Sequence, residues 1–539
     1  MRFLARRWSL GAADFAASMP LVRWTWRSLS DDRFEGALPE FRPTDVETII
    51  DMMQGRYLLA SKLVDTGGIS PFAVRADNED WLSSLHSFSW LRHFREARDD
   101  GSRRFARTLV FDWIGRHGRF DRRTWATGLC AQRVMNWLRH YSLLVEGATP
   151  EQTAAIGRTL GAQIQSLRMR AGFTAEPADA ALASMAVVGA ALSVEKDDAV
   201  ARRVARLKRL LDRQISADGL HRSRNAKTQL ALLVELSTVH QALMREHREL
   251  AAGLSPALDL MHKAFDRQVL GSGEPAYFNG SGQLPHDIVV AVQAQGLDRQ
   301  YVPRSAIGDG YIRLQEGGGV IVADGGMVPP LDYAGEAASG ALGFEFSYGR
   351  DLVIGNCGPA PAELSHSKAL FRRGIAHSAP TINAESAVEE GGHGSRLRQR
   401  GPLPELSLDA KEPTLIARTF GFEHRFGVAL ERRLTLLSEG RTLVGQDRMI
   451  GGKGQTSGLC TLRFHLAPGA EVLPLDNSLL VRLSNGSEWT FLWEGAEVHE
   501  EESVRQSAYF GLHRTRQIIL EAPVAAGTEI AWIFTLDRT

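Results

Sequence analysis

The chain changes its hydrophobic period near its middle. Through the first half, apolar residues recur every three or four positions, the spacing that lays one stripe along a helix. Thr149-Pro150-Glu151 predicts a helix start: a capping hydroxyl, a proline in the first turn and an acid favoured by the helix dipole. Ile156, Leu160, Ile164 and Leu167 follow as its stripe. Asp197 or Asp198 can cap the next helix, with Val200, Val204, Leu207, Leu211 and Ile215 on one face. Another helix, at about 226–246, carries Leu230, Leu233, Leu236 and Leu243, and one between Trp125 and Trp137 contains Arg133 and Asn136. Successive helical hairpins with short loops stack and curl into a superhelix or closed toroid.

From about residue 305 the period becomes two. YIRLQEGGGVIVADGG, GFEFSYGRDLVIGNCG and ERRLTLLSEGRTLVGQDRMI each give strand, glycine-containing turn, strand. NSLLVRLSNGSEWTFLWEG sets Asn485-Gly486 between two alternating runs, a strong hairpin signal. More than a dozen short strands without intervening helices predict an antiparallel sandwich. The expected class is a multidomain α+β chain: a helical (α/α) toroid over 1–295, then a β-sandwich over 296–539, with the joint at 285–305.

Composition narrows function by exclusion. Lys+Arg and Asp+Glu both total 63, so the chain has no basic excess for general nucleic-acid binding. A local arginine cluster can still hold an anionic ligand. Cys130, Cys357 and Cys460 are odd in number and form no CxxC, which indicates buried thiols rather than a disulfide framework or a cysteine zinc site. No run of 18 apolar residues predicts a membrane span. The N-terminal stretch begins basic, but Asp14 interrupts its apolar part. A cytoplasmic location is expected, with a periplasmic one as the alternative. A homodimer stays open.

Several polar positions stand out. ADGLHRSRN (217–225) places His221, Arg222, Arg224 and Asn225 between two amphipathic helices. It reads either as a polar loop with a capping histidine or as a site. In the second reading, cations keep His221 neutral as a general base, and Arg224 with Asn225 neutralises a carboxylate. AYFNGSG (276–282) offers Tyr277 as a phenol that protonates a leaving oxygen, with Asn279 beside it; an aromatic turn is the plainer reading. IAHSAPTINAES (375–386) offers His377 at a strand start, and His465 is similar. Trp90 and His93, and Arg133 with Asn136, either line a groove or pack helices. Gly317-Gly318-Gly319 lies in a strand hairpin, which excludes a phosphate loop, and neither GxSxG nor HExxH occurs.

The order of DGLHRSRN, FNGSG, LGFEFSYGRDLVIGNCG and AHSAPTIN, with VDTGGISPF and WLRHF upstream, resembles the heparinase II/III-like family in its uncharacterised bacterial branch. The resemblance implies a toroid with a docked sandwich and a groove for an acidic polysaccharide, cut beside a uronic acid by β-elimination. It implies a uronate contact at His221, a catalytic tyrosine at Tyr277 and a catalytic histidine at His377. Arg224, Asn225, Asn279, Arg133, Asn136, Trp90 and His93 become candidate substrate-binding residues. Relatives often carry an HxHxD-like stretch where this chain has Glu336-Ala337-Ala338-Ser339-Gly340, and an acid or amide where it has Arg224. No cofactor is expected, and no ligand set for a divalent metal is evident. Two readings follow: a lyase for uronate-containing glycans, or a non-catalytic protein for glycan binding or exopolysaccharide assembly. A hydrolase would need two flanking carboxylates that the sequence does not supply.

Overall fold

A computed structural model describes residues 2–26, 34, 38–97, 99–174, 176–194, 197–296, 304–390, 396–409, 411–451, 458–509 and 511–538. Contacts gather the chain into two compact units. One holds Met1–Ile215 with Leu230–Asp259; the other holds Ser216–Gln229 with Leu260–Thr539. A single cut at 295/296 would leave 216–229 and 260–295 with the helices. By contacts, both segments belong with the sheets. Of the joint expected at 285–305, His286–Gln293 is a helix and 297–303 lie outside the described residues.

The first unit is helical because its stripes find partners. Pro150–Arg170 opens with the expected capping hydroxyl, which the structure extends to a capping box: the Thr149 hydroxyl accepts from the Gln152 N–H while the Gln152 side chain accepts from the Thr149 N–H. Its stripe Ile156, Leu160, Ile164 and Leu167 is fully buried, each side chain contributing about 1.5–3 kcal/mol. Asp197–Gln214 buries Val200, Val204, Leu207 and Leu211 in the same way. Both pack against Pro177–Val194, as does Thr127–Arg139. Pro177–Val194 is long and apolar enough by composition to cross a membrane, yet 78% of it is buried inside the structure, as in the central helix of a folded core. A small hairpin, Arg56–Leu59 with Lys62–Asp65, is the strand element of this unit.

The second unit carries two large antiparallel sheets, besides a small pair of Glu389–Glu390 with Leu397–Arg398. The eight-stranded one runs Glu405–Leu408, Thr414–Thr419, Val428–Leu437, Thr442–Gly451, Glu529–Arg538, Glu488–Glu494, Leu479–Arg482, Glu471–Pro474. The other runs Glu497–Ser507, Gly511–Pro523, Leu459–Leu466, Asp351–Gly355, Gly343–Tyr348, Gly319–Asp324, Tyr311–Glu316, Ala306–Gly308, with Pro380–Ile382 also paired to Leu459–Leu466. Alternating side chains from both sheets fill one core around Phe344, Phe464, Phe491, Trp532 and Phe534. The Phe464 and Trp532 rings meet edge to face at 4.7 Å. The hairpin expected at Asn485-Gly486 forms, with Gly486 at φ 89°. Cys130, Cys357 and Cys460 are all buried and unbridged.

Candidate functional site

The ADGLHRSRN loop is built by local rules. Ser216 N–H donates to Leu220 O at 2.9 Å and closes a turn through Gly219 at φ +96°. A Cβ on Gly219 would sit 2.1 Å from Leu260 O, so only glycine fits. Asn225 Oδ1 accepts from Thr228 N–H at 3.1 Å, which makes Asn225 the cap of helix Ala226–Glu246. Strand-end residues of the same unit then clamp the loop. Asp309 Oδ2 accepts from Leu220 N–H at 3.2 Å, and Asp218 Oδ2 accepts from Asp309 N–H at 3.0 Å.

Arg224 is the largest correction to the sequence reading. Its guanidinium is not open to a substrate carboxylate. It is 2% exposed, pairs with Asp324 at 2.9 Å, donates to Asp309 O at 2.7 Å and to Met327 O, and lies 4.1 Å over the Tyr311 ring. Asp324 Oδ1 also accepts from Gly326 N–H at 2.8 Å. Asn279 bridges onward: its Nδ2 donates to Tyr311 Oη at 2.7 Å and its Oδ1 accepts from Ala338 N–H at 3.2 Å. Tyr311 Oη in turn donates to Arg224 O at 2.8 Å, and Asn225 Nδ2 donates to Asn279 O at 2.8 Å. Arg224 (φ 57°) and Asn279 (φ 49°) both hold left-handed backbone, a cost accepted where surroundings over-determine the geometry. So Arg224, Asn225 and Asn279 are held by partners within the protein and build the site's frame.

His221 has a different character. It is 2% exposed, and burial, then Arg222, pulls its pKa down to about 3, so the ring is neutral. Nδ1 accepts from the Ser223 backbone N–H at 3.3 Å and meets Ser223 Oγ at 2.8 Å. A backbone N–H can only donate, so the network assigns the ring proton to Nε2. That N–H is buried and has no partner. The expected general base is therefore a hydrogen-bond donor.

His377 takes the opposite tautomer. Its Nδ1 lies 3.0 Å from Arg373 O, an acceptor, so Nδ1 carries the proton and Nε2 the lone pair. Burial lowers its pKa, against the pull of the Arg373 carbonyl and Asp324. The ring packs on Gly340, where a Cβ would lie 3.0 Å from His377 Cδ2.

Tyr277 lies in a second buried network. Arg505 Cζ sits 3.7 Å over its ring, and Arg505 pairs with Glu345 at 2.8 Å. Burial raises the phenol pKa, with Arg505 opposing, so the hydroxyl keeps its proton. Asn356 ties this network together, donating to Tyr277 O at 3.2 Å and accepting from Ser378 N–H, the residue after His377, at 2.8 Å. His221, Tyr277 and His377 thus belong to one unit, and Asn356 bridges the segments of Tyr277 and His377. Among the described residues, no hydrogen bond joins them directly.

Four further candidates are structural. Arg133 is fully buried in the helical unit, donating to Gln163 Oε1 at 2.6 Å and to His86 O and Thr124 O at 2.9 Å, with Trp113 4.3 Å from its guanidinium. Asn136 accepts from Arg42 at 2.8 Å and Arg139 at 3.1 Å, inside a buried cluster with Glu40 and Glu235. Trp90 donates to Leu85 O at 3.0 Å, and His93 Nδ1 accepts from Asp45 N–H at 3.0 Å. Burial, then Arg92, pulls His93 down to about 3. Each side chain is buried and bonded within its own unit, with Arg133 Nη2 left without a hydrogen-bond partner. Among the described residues, no group of three or more His, Cys, Asp or Glu is placed to hold a metal ion.

Asp324, Tyr311, Glu345, Asn356 and Arg505 were not singled out from sequence. One signal was present: VIVADGG and GFEFS each set a lone acid in an apolar strand, a position that demands a buried partner.

Helices followed by two antiparallel sheets, with this polar frame, define the (α/α) toroid and β-sandwich architecture. Residues 305–533 match the family described as heparinase II/III-like, C-terminal. Its fold is that of heparinase III (TM-score 0.71, 13% identity, 98% of this chain and 90% of that one). It also matches a heparan sulfate lyase HepC mutant from Pedobacter heparinus (TM-score 0.62, 14% identity, 98% and 89%). In sequence it is similar to FtsZ-localized protein C of Caulobacter vibrioides, 26% identical over 95% of this chain and 94% of that one.

Proposed function

We propose that the chain is a polysaccharide lyase cleaving a uronate-containing acidic glycan by β-elimination. The observation that carries this reading is the pair of opposite tautomers: a buried, unpartnered His221 Nε2–H and a lone pair on His377 Nε2. A donor suits the uronate carboxylate, where charge grows as the adjacent C–H is removed. His377 Nε2 takes that proton. The electron pair forms the C=C bond as the glycosidic C–O bond breaks, and Tyr277 Oη–H protonates the departing oxygen. Arg505, over the Tyr277 ring, stabilises the phenolate until His377 returns its proton through solvent.

Uronate polymers followed by the ultraviolet absorbance of the unsaturated product test this reading. Loss of His377 should lower kcat by about 10²–10⁴-fold. His221→Ala should cost about 10²–10³-fold, while His221→Asn, which keeps a donor, should retain more than His221→Ala does. Folded protein silent on every polymer sinks the proposal.

A second reading has its own support: a glycan-binding protein without the chemistry. Arg224, the expected carboxylate partner, is consumed by Asp324, and the full-length relative is named for localisation to FtsZ. Here His221→Ala and His377→Ala leave glycan binding nearly intact, and turnover lost in either variant rules it out.

A further inference from the structure

Beside this frame, the sheet unit holds a cavity of about 580 Å³, within the range of small-molecule sites. Leu370, Phe371, Ile375 and Ala470 give it apolar walls. Its floor is polar but closed. His465 Nε2–H donates to Ile375 O at 3.1 Å, and Nδ1 accepts from Ser503 Oγ at 2.6 Å, with Cys357 Sγ 3.7 Å from the same nitrogen. Burial pushes the Cys357 thiol up to about 11 and pulls His465 down to about 3. Burial thus disfavours both a thiolate and a charged imidazole on the floor.

Two polar groups of the lining are unmet. Gln517 is 8% exposed; its Nε2 donates to Glu501 Oε2 and Glu502 O, both at 3.3 Å. Both partners are acceptors, so the amide orientation is fixed, and the buried Oε1 is left without a donor. Arg514 lies on the exposed rim. Its neighbour Arg516 pairs with Glu500, but among the described residues Arg514 makes no ion pair or side-chain hydrogen bond.

We propose that this cavity binds a small amphipathic acid: an apolar ring or chain between Phe371 and Ala470, an anionic group on Arg514, and an O–H or N–H donor on Gln517 Oε1. Its occupancy is read without turnover, so failure of this proposal and failure of the lyase reading are distinguishable. The probe is 8-anilinonaphthalene-1-sulfonate, which carries all three features, titrated into the full chain by fluorescence and calorimetry. One saturable site is expected, weakened about 10–100-fold by Arg514→Ala and by Gln517→Leu. Ala470→Trp, which fills the cavity, should abolish it. N-phenyl-1-naphthylamine, lacking the sulfonate, should bind more weakly and be indifferent to Arg514→Ala. Absence of a saturable site, or affinity unchanged in Arg514→Ala, overturns the proposal. Arg514 is exposed, so that variant decides even where Ala470→Trp fails to fold.

Discussion

Asp324→Asn tests whether Arg224 is a frame residue or a ligand contact. Both side chains of the pair are 3% exposed, with 2.9 Å between Nη2 and Oδ1. The carboxylate also accepts from Gly326 N–H at 2.8 Å, and Asn279 Nδ2 lies 3.4 Å from Oδ2. An amide at 324 keeps one acceptor oxygen and turns an NH2 group toward Arg224 or Asn279, both donors there. The guanidinium then stays buried without its counter-charge, a situation that costs about 3–5 kcal/mol. At 1.36 kcal/mol per factor of ten, the local opening constant rises roughly 10²–10⁴-fold. Hydrogen-exchange mass spectrometry should show that loss of protection in peptides covering 216–229 and 276–282, with urea unfolding reporting the global change. Arg224→Met with Asp324→Leu removes both charges and should be less destabilised than Asp324→Asn alone. It should also keep whatever glycan affinity the wild type has. If Asp324→Asn is neutral, or if the stable double variant loses affinity while folded, Arg224 faces ligand and the structural assignment is wrong.

Other outcomes follow from the same geometry. Gly280 holds φ +80°, and a Cβ there would lie 2.8 Å from Glu336 Cβ and O, so Gly280→Ala should cost about 1–3 kcal/mol and loosen Asn279, read by thermal melting. Arg133→Met leaves the acceptors on Gln163, His86 and Thr124 unmet; it should destabilise by about 3 kcal/mol without changing KM on any substrate turned over. His86, His93, His221 and His465 are each pulled by burial to about 3. Below pH 6.5 the unfolded chain therefore binds protons that the folded chain refuses. Stability should fall as pH drops from 6.5 toward 3, by about 1.36 kcal/mol per unit per histidine, and these groups should contribute no slope above 7. A Tm that rises between pH 7 and pH 5 contradicts this.

The architecture was legible because the two periods are local properties. Ile156 to Leu167 announces a helix face, and Asn485-Gly486 a hairpin, within a dozen residues. The site's frame is not local. An arginine in a polar loop looks the same whether its fork meets a ligand or, as at Arg224, an aspartate 100 positions later. The histidine roles were legible only as residue types. Whether His221 donates or accepts is set by the Ser223 N–H beside Nδ1, and for His377 by the Arg373 carbonyl. The resemblance brought His221, Tyr277 and His377 together as a set, but the bonds that hold each of them appear only in three dimensions.

The sheet unit takes in Ser216–Gln229 as well as Leu260–Thr539, and this bears on how such chains can be recombined. The family match covers 305–533, yet the loop that Asp309, Tyr311 and Asp324 grip lies upstream, on the far side of the helices Leu230–Asp259. A chimera that exchanges 305–533 between relatives would inherit the grip without the loop it was shaped to hold. A swap is expected to work when 216–229 and 260–304 travel with it, so the unit of inheritance is a discontinuous one, set by who holds His221 rather than by where the strands begin.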